Sequence, residues 1–189
     1  MYEFWNWFDS ESWYPLGRTV GGTVYPGIMT TALFFYKLAH SLSFPLDIRN
    51  VCVFLAPMFS AFTSLAGYSL TKEVTGRAES GFLSALFIAV VPSYISRSVA
   101  GSYDNEGVAI FALVMTFYLW VKSVNTGSLF WSSMTAITYF YLVAAWGGYS
   151  FVINILPIFV LVMLFLGHYS TNLYIAYNAF YILGTLLAM

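Results

Sequence analysis

From Ser123 to Met189 the chain carries no Asp, Glu, Lys or Arg. Residues 50–71, 80–96 and 107–121 are equally free of them. A soluble domain draws about a quarter of its residues from the charged types to clothe its surface. Here charged residues make up 8% of the chain, hydrophobic residues 60% and aromatic residues 21%, and the mean hydropathy is +0.76. Such a composition excludes a soluble globular enzyme and a disordered tail. A net charge of −1 offers no electrostatic attraction for nucleic acid. The single cysteine, Cys52, excludes a disulfide framework and a cysteine-based metal cluster. The chain therefore reads as an all-α polytopic membrane protein.

A helix needs about 20 mainly apolar residues, within a range of about 17–25, to cross the hydrocarbon core. The charge-free stretches predict spans near 51–71, 80–96, 107–122, 128–145, 149–167 and 172–189. These are about six transmembrane helices in a domain over 51–189. The third is short if it stops at Lys122, and snorkelling of that side chain would lengthen it. The polar breaks between spans are short, so successive helices run antiparallel and the breaks alternate between two faces. One face receives Lys72, Arg77, Lys122 and His168. The other receives Arg97, Asp104, Glu106 and the turn Trp146-Gly147-Gly148-Tyr149. The excess of cations makes the first face cytosolic and the second luminal or extracellular.

Residues 1–50 have a different character. Met1–Arg18 is dense in Trp and Tyr and includes Glu3, Asp9, Glu11 and Arg18, which suits the membrane interface. Gly17, Gly21, Gly22, Pro26 and Gly27 predict a turning loop. Ile28–Leu42 has a helical pattern, but Lys37 and His40 make it a poor span. It is expected to lie in the interface on the side of Asp104. No basic segment followed by a small-residue cleavage site opens the chain, so no signal peptide is expected.

The most informative segment reads Ser96-Arg97-Ser98-Val99-Ala100-Gly101-Ser102-Tyr103-Asp104-Asn105-Glu106-Gly107. Two carboxylates two residues apart, at the entrance to an apolar helix, offer hard oxygen donors of the kind that Mg²⁺ and Mn²⁺ prefer. A cation between them would relieve their mutual repulsion, and substrate phosphates could complete its shell. Arg97 could orient a carboxylate or bind a phosphate through its planar fork. The same residues admit a plainer explanation. Acidic side chains are favoured in the first turn of any helix, with Ser102 available as its cap. Gly101 and Gly107 give the loop freedom to bring its backbone close to a ligand. No phosphate-binding glycine loop, Gly-x-Ser-x-Gly elbow or paired histidines accompany these residues.

Beyond this segment, three others carry a family likeness. They are Trp13-Tyr14-Pro15-Leu16-Gly17-Arg18 with Gly21-Gly22-Thr23-Val24-Tyr25-Pro26-Gly27, then Asp47 through Pro57, and Ala145-Trp146-Gly147-Gly148-Tyr149. In this order, with Ser96–Gly107 between the last two, they resemble the catalytic subunit of eukaryotic oligosaccharyltransferase through nearly the whole chain. The resemblance implies a multispanning glycosyltransferase of the endoplasmic reticulum membrane. Such enzymes move a preassembled oligosaccharide en bloc from dolichyl diphosphate to the Asn side chain of Asn-x-Ser/Thr in an acceptor polypeptide, with accessory subunits as partners. It further implies that Asp104 and Glu106 are the second acidic motif, binding Mn²⁺ or Mg²⁺. Arg97 would be the loop arginine that supports activity, and the acidic loop would be luminal.

Some family features fall outside this sequence. The family's first acidic motif lies upstream of Met1; Asp9 and Glu11 match a later part of that loop and are not assigned to metal. A later luminal glutamate, further spans and the C-terminal domain with its Trp-Trp-Asp-Tyr-Gly motif are likewise missing. The chain is thus expected to be an internal fragment, inactive by itself, with residues 1–50 forming a luminal first-loop region. Two alternatives stay open: another membrane glycosyltransferase using a polyprenyl-phosphate sugar, and a cation-coupled transporter. A transporter should carry ionisable residues near the middle of its spans, and none of those predicted does.

Overall fold

The computed structural model describes residues 2–189. Nine helices and one two-stranded ribbon are present among the described residues. The first segment holds α1 (Tyr2–Trp5) and the antiparallel pair β1 (Phe8–Asp9) and β2 (Arg18–Thr19), with Phe8 opposite Thr19. Then follow α2 (Gly27–Ser41), α3 (Ile48–Thr75), α4 (Ala78–Val90), α5 (Pro92–Ile95), α6 (Asn105–Thr126), α7 (Leu129–Ala145), α8 (Tyr149–Phe165) and α9 (Thr171–Ala188). Five of the six predicted spans fall on one helix each, within a few residues at either end.

Local chemistry sets these boundaries. Asp47 opens α3 by accepting the Arg49 backbone N–H at 3.2 Å. Ser170 opens α9 by accepting that of Leu173 at 3.1 Å. Gly76 and Gly127 close α3 and α6 in the left-handed conformation, at φ 70° and 64°, which a residue without Cβ adopts freely. The helix α6 runs on to Thr126, past the expected stop at Lys122, so its 22 residues span about 33 Å without help from snorkelling.

The span predicted over 80–96 is broken. Val91 is extended (φ −65°, ψ 123°) and Pro92 begins the separate turn α5. A residue before proline is pushed out of the helical region. By contrast Pro57 and Pro157 lie inside α3 and α8. The helices α3 and α6 are long and apolar enough to cross a membrane by length and composition, while α4, α7 and α8 are shorter apolar helices.

The helix α6 lies at the centre, packed along α3 on one side and α7 on the other, with α7 in turn against α9. Its buried positions, Gly107, Val108, Ala109, Ala112, Thr116, Leu119, Trp120 and Ser123, recur at three- and four-residue steps. The facing stripe of α7 is Ser132, Thr135, Ala136, Tyr139, Leu142 and Ala145. Small residues let helix backbones approach closely where water cannot drive association. Hydroxyls then bond across the seam, as Ser132 Oγ does in donating to the Ala176 carbonyl of α9 at 2.7 Å. Apart from Tyr and Trp, every buried polar side chain among the described residues is Ser or Thr. The outside is the reverse: Phe82, Leu86, Phe87, Phe165 and Leu186 are all exposed, as lipid-facing residues should be.

The two ends of the bundle differ. At one end Glu73 of α3 accepts from the Asn125 side chain of α6 at 3.1 Å, near Lys72 and Lys122. At the other, the acidic loop, the α7–α8 turn and both ends of α2 come together. Glycine at position 27 allows the start of α2 to press on the backbone of Ala144 and Ala145, where a Cβ would sit 2.7 Å from Ala145 Cα. The second half of α2, Phe35 to Leu42, faces Val51–Met58 near the start of α3 across an apolar groove. With both its ends at one end of the bundle, α2 lies across it.

Enlarging a residue on the central seam should therefore be costly. Ala112→Leu, at a fully buried position, is expected to destabilise the solubilised protein by roughly 1–3 kcal/mol. Leu186→Ala, on the exterior, should change stability little. Thermal unfolding followed by circular dichroism distinguishes the two.

Candidate functional site

The segment from Ser96 to Gly107 is tied to α3 at three places. Upstream, the Tyr94 hydroxyl donates to Thr63 Oγ1 at 2.8 Å, and Ser98 Oγ returns to the Tyr94 carbonyl at 2.9 Å. In the middle, the Gly101 N–H donates to the Val53 carbonyl at 2.9 Å. Gly101 has φ +92°, a conformation that side-chain-bearing residues rarely adopt. Downstream, Gly107 brings the first turn of α6 against Ala56, where a Cβ would lie 3.5 Å from the Ala56 Cβ. At Gly101 the backbone bonds a neighbouring helix, and at Gly107 it lies in ordinary contact with one.

The anchored loop presents three charged side chains together. Arg97 Nη1 lies 3.1 Å from Glu106 Oε2 and 3.8 Å from Asp104 Oδ2. Asp104 occupies the N-cap position of α6, displacing Ser102 from that expected role, yet its side chain makes no capping hydrogen bond. Its carboxylate instead faces the guanidinium. Helix capping alone therefore does not explain Asp104. Beneath these groups Ile28, Leu55, Ala56 and Val108 surround the backbone of Ser102–Asp104 and form an apolar floor. Burial pushes the neighbouring Tyr103 phenol up to about 12, with Cys52 beside it adding to the rise. Tyr103 thus remains a neutral donor at physiological pH.

Two carboxylates against one guanidinium leave one net negative charge at the start of α6. Both acids already converge on a single cationic nitrogen, and both offer hard oxygen donors. Mg²⁺ is commonly held through one or two carboxylates with water and phosphate completing its shell, so this donor set suits Mg²⁺ or Mn²⁺. Among the described residues no third His, Cys, Asp or Glu joins the pair.

Asp9 and Glu11 do not join this site. Asp9 accepts the Ser12 hydroxyl and the backbone N–H of Glu11, and these bonds, the hydroxyl first, hold its carboxyl below the usual range. The Trp146–Tyr149 turn lies at the same end of the bundle, with Gly147 against the Tyr25 hydroxyl. Sequence reading missed Tyr94, Thr63 and Val53, whose role depends on contacts between distant segments. The only signal was a glycine inside a charged loop and a proline inside a span.

This geometry can be compared with known proteins. The family model described as oligosaccharyl transferase STT3, N-terminal, matches residues 1–189. The chain belongs to that family. Over 187 residues it is 60% identical to the dolichyl-diphosphooligosaccharide–protein glycosyltransferase subunit STT3B of Oryza sativa subsp. japonica, covering 99% of this chain and 26% of that protein. It is 61% identical over 189 residues to the STT3B subunit of Arabidopsis thaliana, covering 100% of this chain and again 26% of the relative. The chain thus spans about a quarter of the length of these STT3 proteins. Archaeal oligosaccharyltransferase AglB from Archaeoglobus fulgidus, solved with an inhibitory peptide and a dolichol-phosphate, matches with a TM-score of 0.79 at 20% identity. That match covers 96% of this chain and 22% of AglB, and shows that the helical membrane fold of STT3 is shared.

Arg97 and Asp104 are both more than half exposed, and exposed ion pairs contribute about 0–1 kcal/mol. Arg97→Ala is therefore expected to lower unfolding free energy by no more than about 1 kcal/mol. A denaturant titration that showed a loss of several kcal/mol would assign Arg97 to the fold rather than to the site.

Proposed function

We propose that this chain is part of the catalytic subunit of an oligosaccharyltransferase. The complete enzyme moves a preassembled oligosaccharide en bloc from dolichyl diphosphate to the Asn side-chain amide of Asn-x-Ser/Thr in an acceptor polypeptide. The acidic loop faces the lumen of the endoplasmic reticulum, and accessory subunits surround the catalytic one. The observation that carries this reading is the convergence of Asp104 and Glu106 on one cation position with negative charge left over. The names of the STT3 relatives and the dolichol-phosphate and peptide bound to AglB support the choice of substrates.

Asp104 and Glu106 would hold Mn²⁺ or Mg²⁺. The metal, when bound, supplies charge stabilisation for the departing diphosphate as the acceptor amide attacks the sugar's anomeric carbon. Arg97 offsets the repulsion between the two carboxylates and keeps them pointing to one place. The N-terminal end of α6 adds positive potential beside them. Ile28, Leu55, Ala56 and Val108 lie next to the start of α6 that carries the two carboxylates. The 189 residues alone lack most of the length of their relatives, and by themselves they should not glycosylate a sequon peptide.

In the complete subunit within its native complex, Asp104→Asn and Glu106→Gln should each reduce transfer to a sequon peptide by at least about a hundredfold. Chelation with EDTA should abolish transfer, and Mn²⁺ or Mg²⁺ should restore it. Near-normal rates for either variant under limiting Mn²⁺ would refute the ligand assignment.

A further inference from the structure

Proline has no N–H, so Pro57 cannot give the Val53 carbonyl the hydrogen bond that residue i+4 supplies in an α-helix. That carbonyl instead accepts the Gly101 N–H at 2.9 Å. We propose that Pro57 is a positioning residue for the acidic loop: the N–H it lacks creates the acceptor that fixes the backbone three residues before Asp104. The proposal rests on the reading of Asp104 and Glu106 as metal ligands.

Several observations meet at this point of α3. Gly101 makes this bond at φ +92°, a conformation that side-chain-bearing residues rarely adopt. Ala56, next to Pro57, is the residue that Gly107 abuts. The stretch from Val53 to Pro57 therefore seats the loop on one side of Asp104 and Glu106, and the first turn of α6 on the other. The arrangement is not a general property of proline in this bundle. Pro157 likewise lies inside α8, and among the described residues nothing outside that helix bonds the Ile153 carbonyl. A residue with an N–H at position 57 would bring a helix-ladder donor to the Val53 carbonyl, in competition with the Gly101 N–H.

The consequence is local. Pro57→Ala introduces a better helix former, so α3 and the bundle should be at least as stable as before. The loop should be looser, and its two carboxylates less well held for a cation. Pro57→Val should act alike, because the cause is the N–H and not the size of the side chain.

The test uses the complete catalytic subunit in its native complex, with two readouts. Hydrogen–deuterium exchange of the peptide covering 97–107 should be roughly tenfold faster in Pro57→Ala and Pro57→Val, the fold-change expected for losing one hydrogen bond. Exchange in α7 and α9 should be unchanged. The Mn²⁺ concentration giving half-maximal transfer should rise severalfold, while KM for the sequon peptide stays the same. Gly101→Ala should produce the same pair of changes, and the Pro57→Ala/Gly101→Ala double variant should be no worse than the worse single variant. Unchanged exchange in 97–107 would overturn the anchor. Faster exchange with an unaltered Mn²⁺ requirement would overturn the positioning role. Should Asp104→Asn also leave the Mn²⁺ requirement unaltered, the fault would lie with the metal reading and not with Pro57.

Discussion

A backbone carbonyl that its own helix leaves without an N–H donor is free to accept one from another segment. The Val53 carbonyl of α3 finds one in Gly101 of the acidic loop, and the placement of the charged groups follows from that bond. With Gly101 fixed and Gly107 pressed on Ala56, the residues between them have little choice of path. Asp104 lands at the N-cap of α6 and Glu106 in its first turn, where the Arg97 guanidinium reaches both. The upstream bond from Tyr94 to Thr63 fixes where Arg97 enters. One helix thus sets the positions of three side chains that belong to a segment some forty residues further along the chain.

The remainder of the bundle supports that helix by close approach. Alanine, glycine, serine and threonine line the faces of α6 and α7, and the larger aromatics fill what they leave, as Tyr139 and Trp120 do around Phe180. Polar groups in this interior are hydroxyls, which can bond a carbonyl of their own helix or of a neighbour without carrying charge into a medium of low dielectric. Ionisable groups are kept to the two ends. The division of labour is physical: an uncharged seam holds the helices together, and charge is concentrated where a loop meets a helix start.

Much of this was legible in the sequence. The gaps between charges located the helices because burying an Asp or Lys in lipid is costly enough to be avoided over long stretches. The prolines were harder to read. Pro92 divides a predicted span, while Pro57 and Pro157 lie inside continuous helices. The candidate site was legible as a composition of Arg97, Asp104 and Glu106. Its cause was not: the bond between Gly101 and Val53 joins segments far apart in the chain, and no local pattern records it. Capping by Ser102 was a reasonable local expectation, but Asp104 takes the N-cap position instead.

An anomalous-diffraction map of the complete catalytic subunit soaked with Mn²⁺ would test the central claim most directly. The expected result is a manganese peak about 2.1 Å from carboxylate oxygens of both Asp104 and Glu106, with the Gly101 N–H still on the Val53 carbonyl. A peak held by other residues, with Asp104 and Glu106 still turned only toward Arg97, would contradict it.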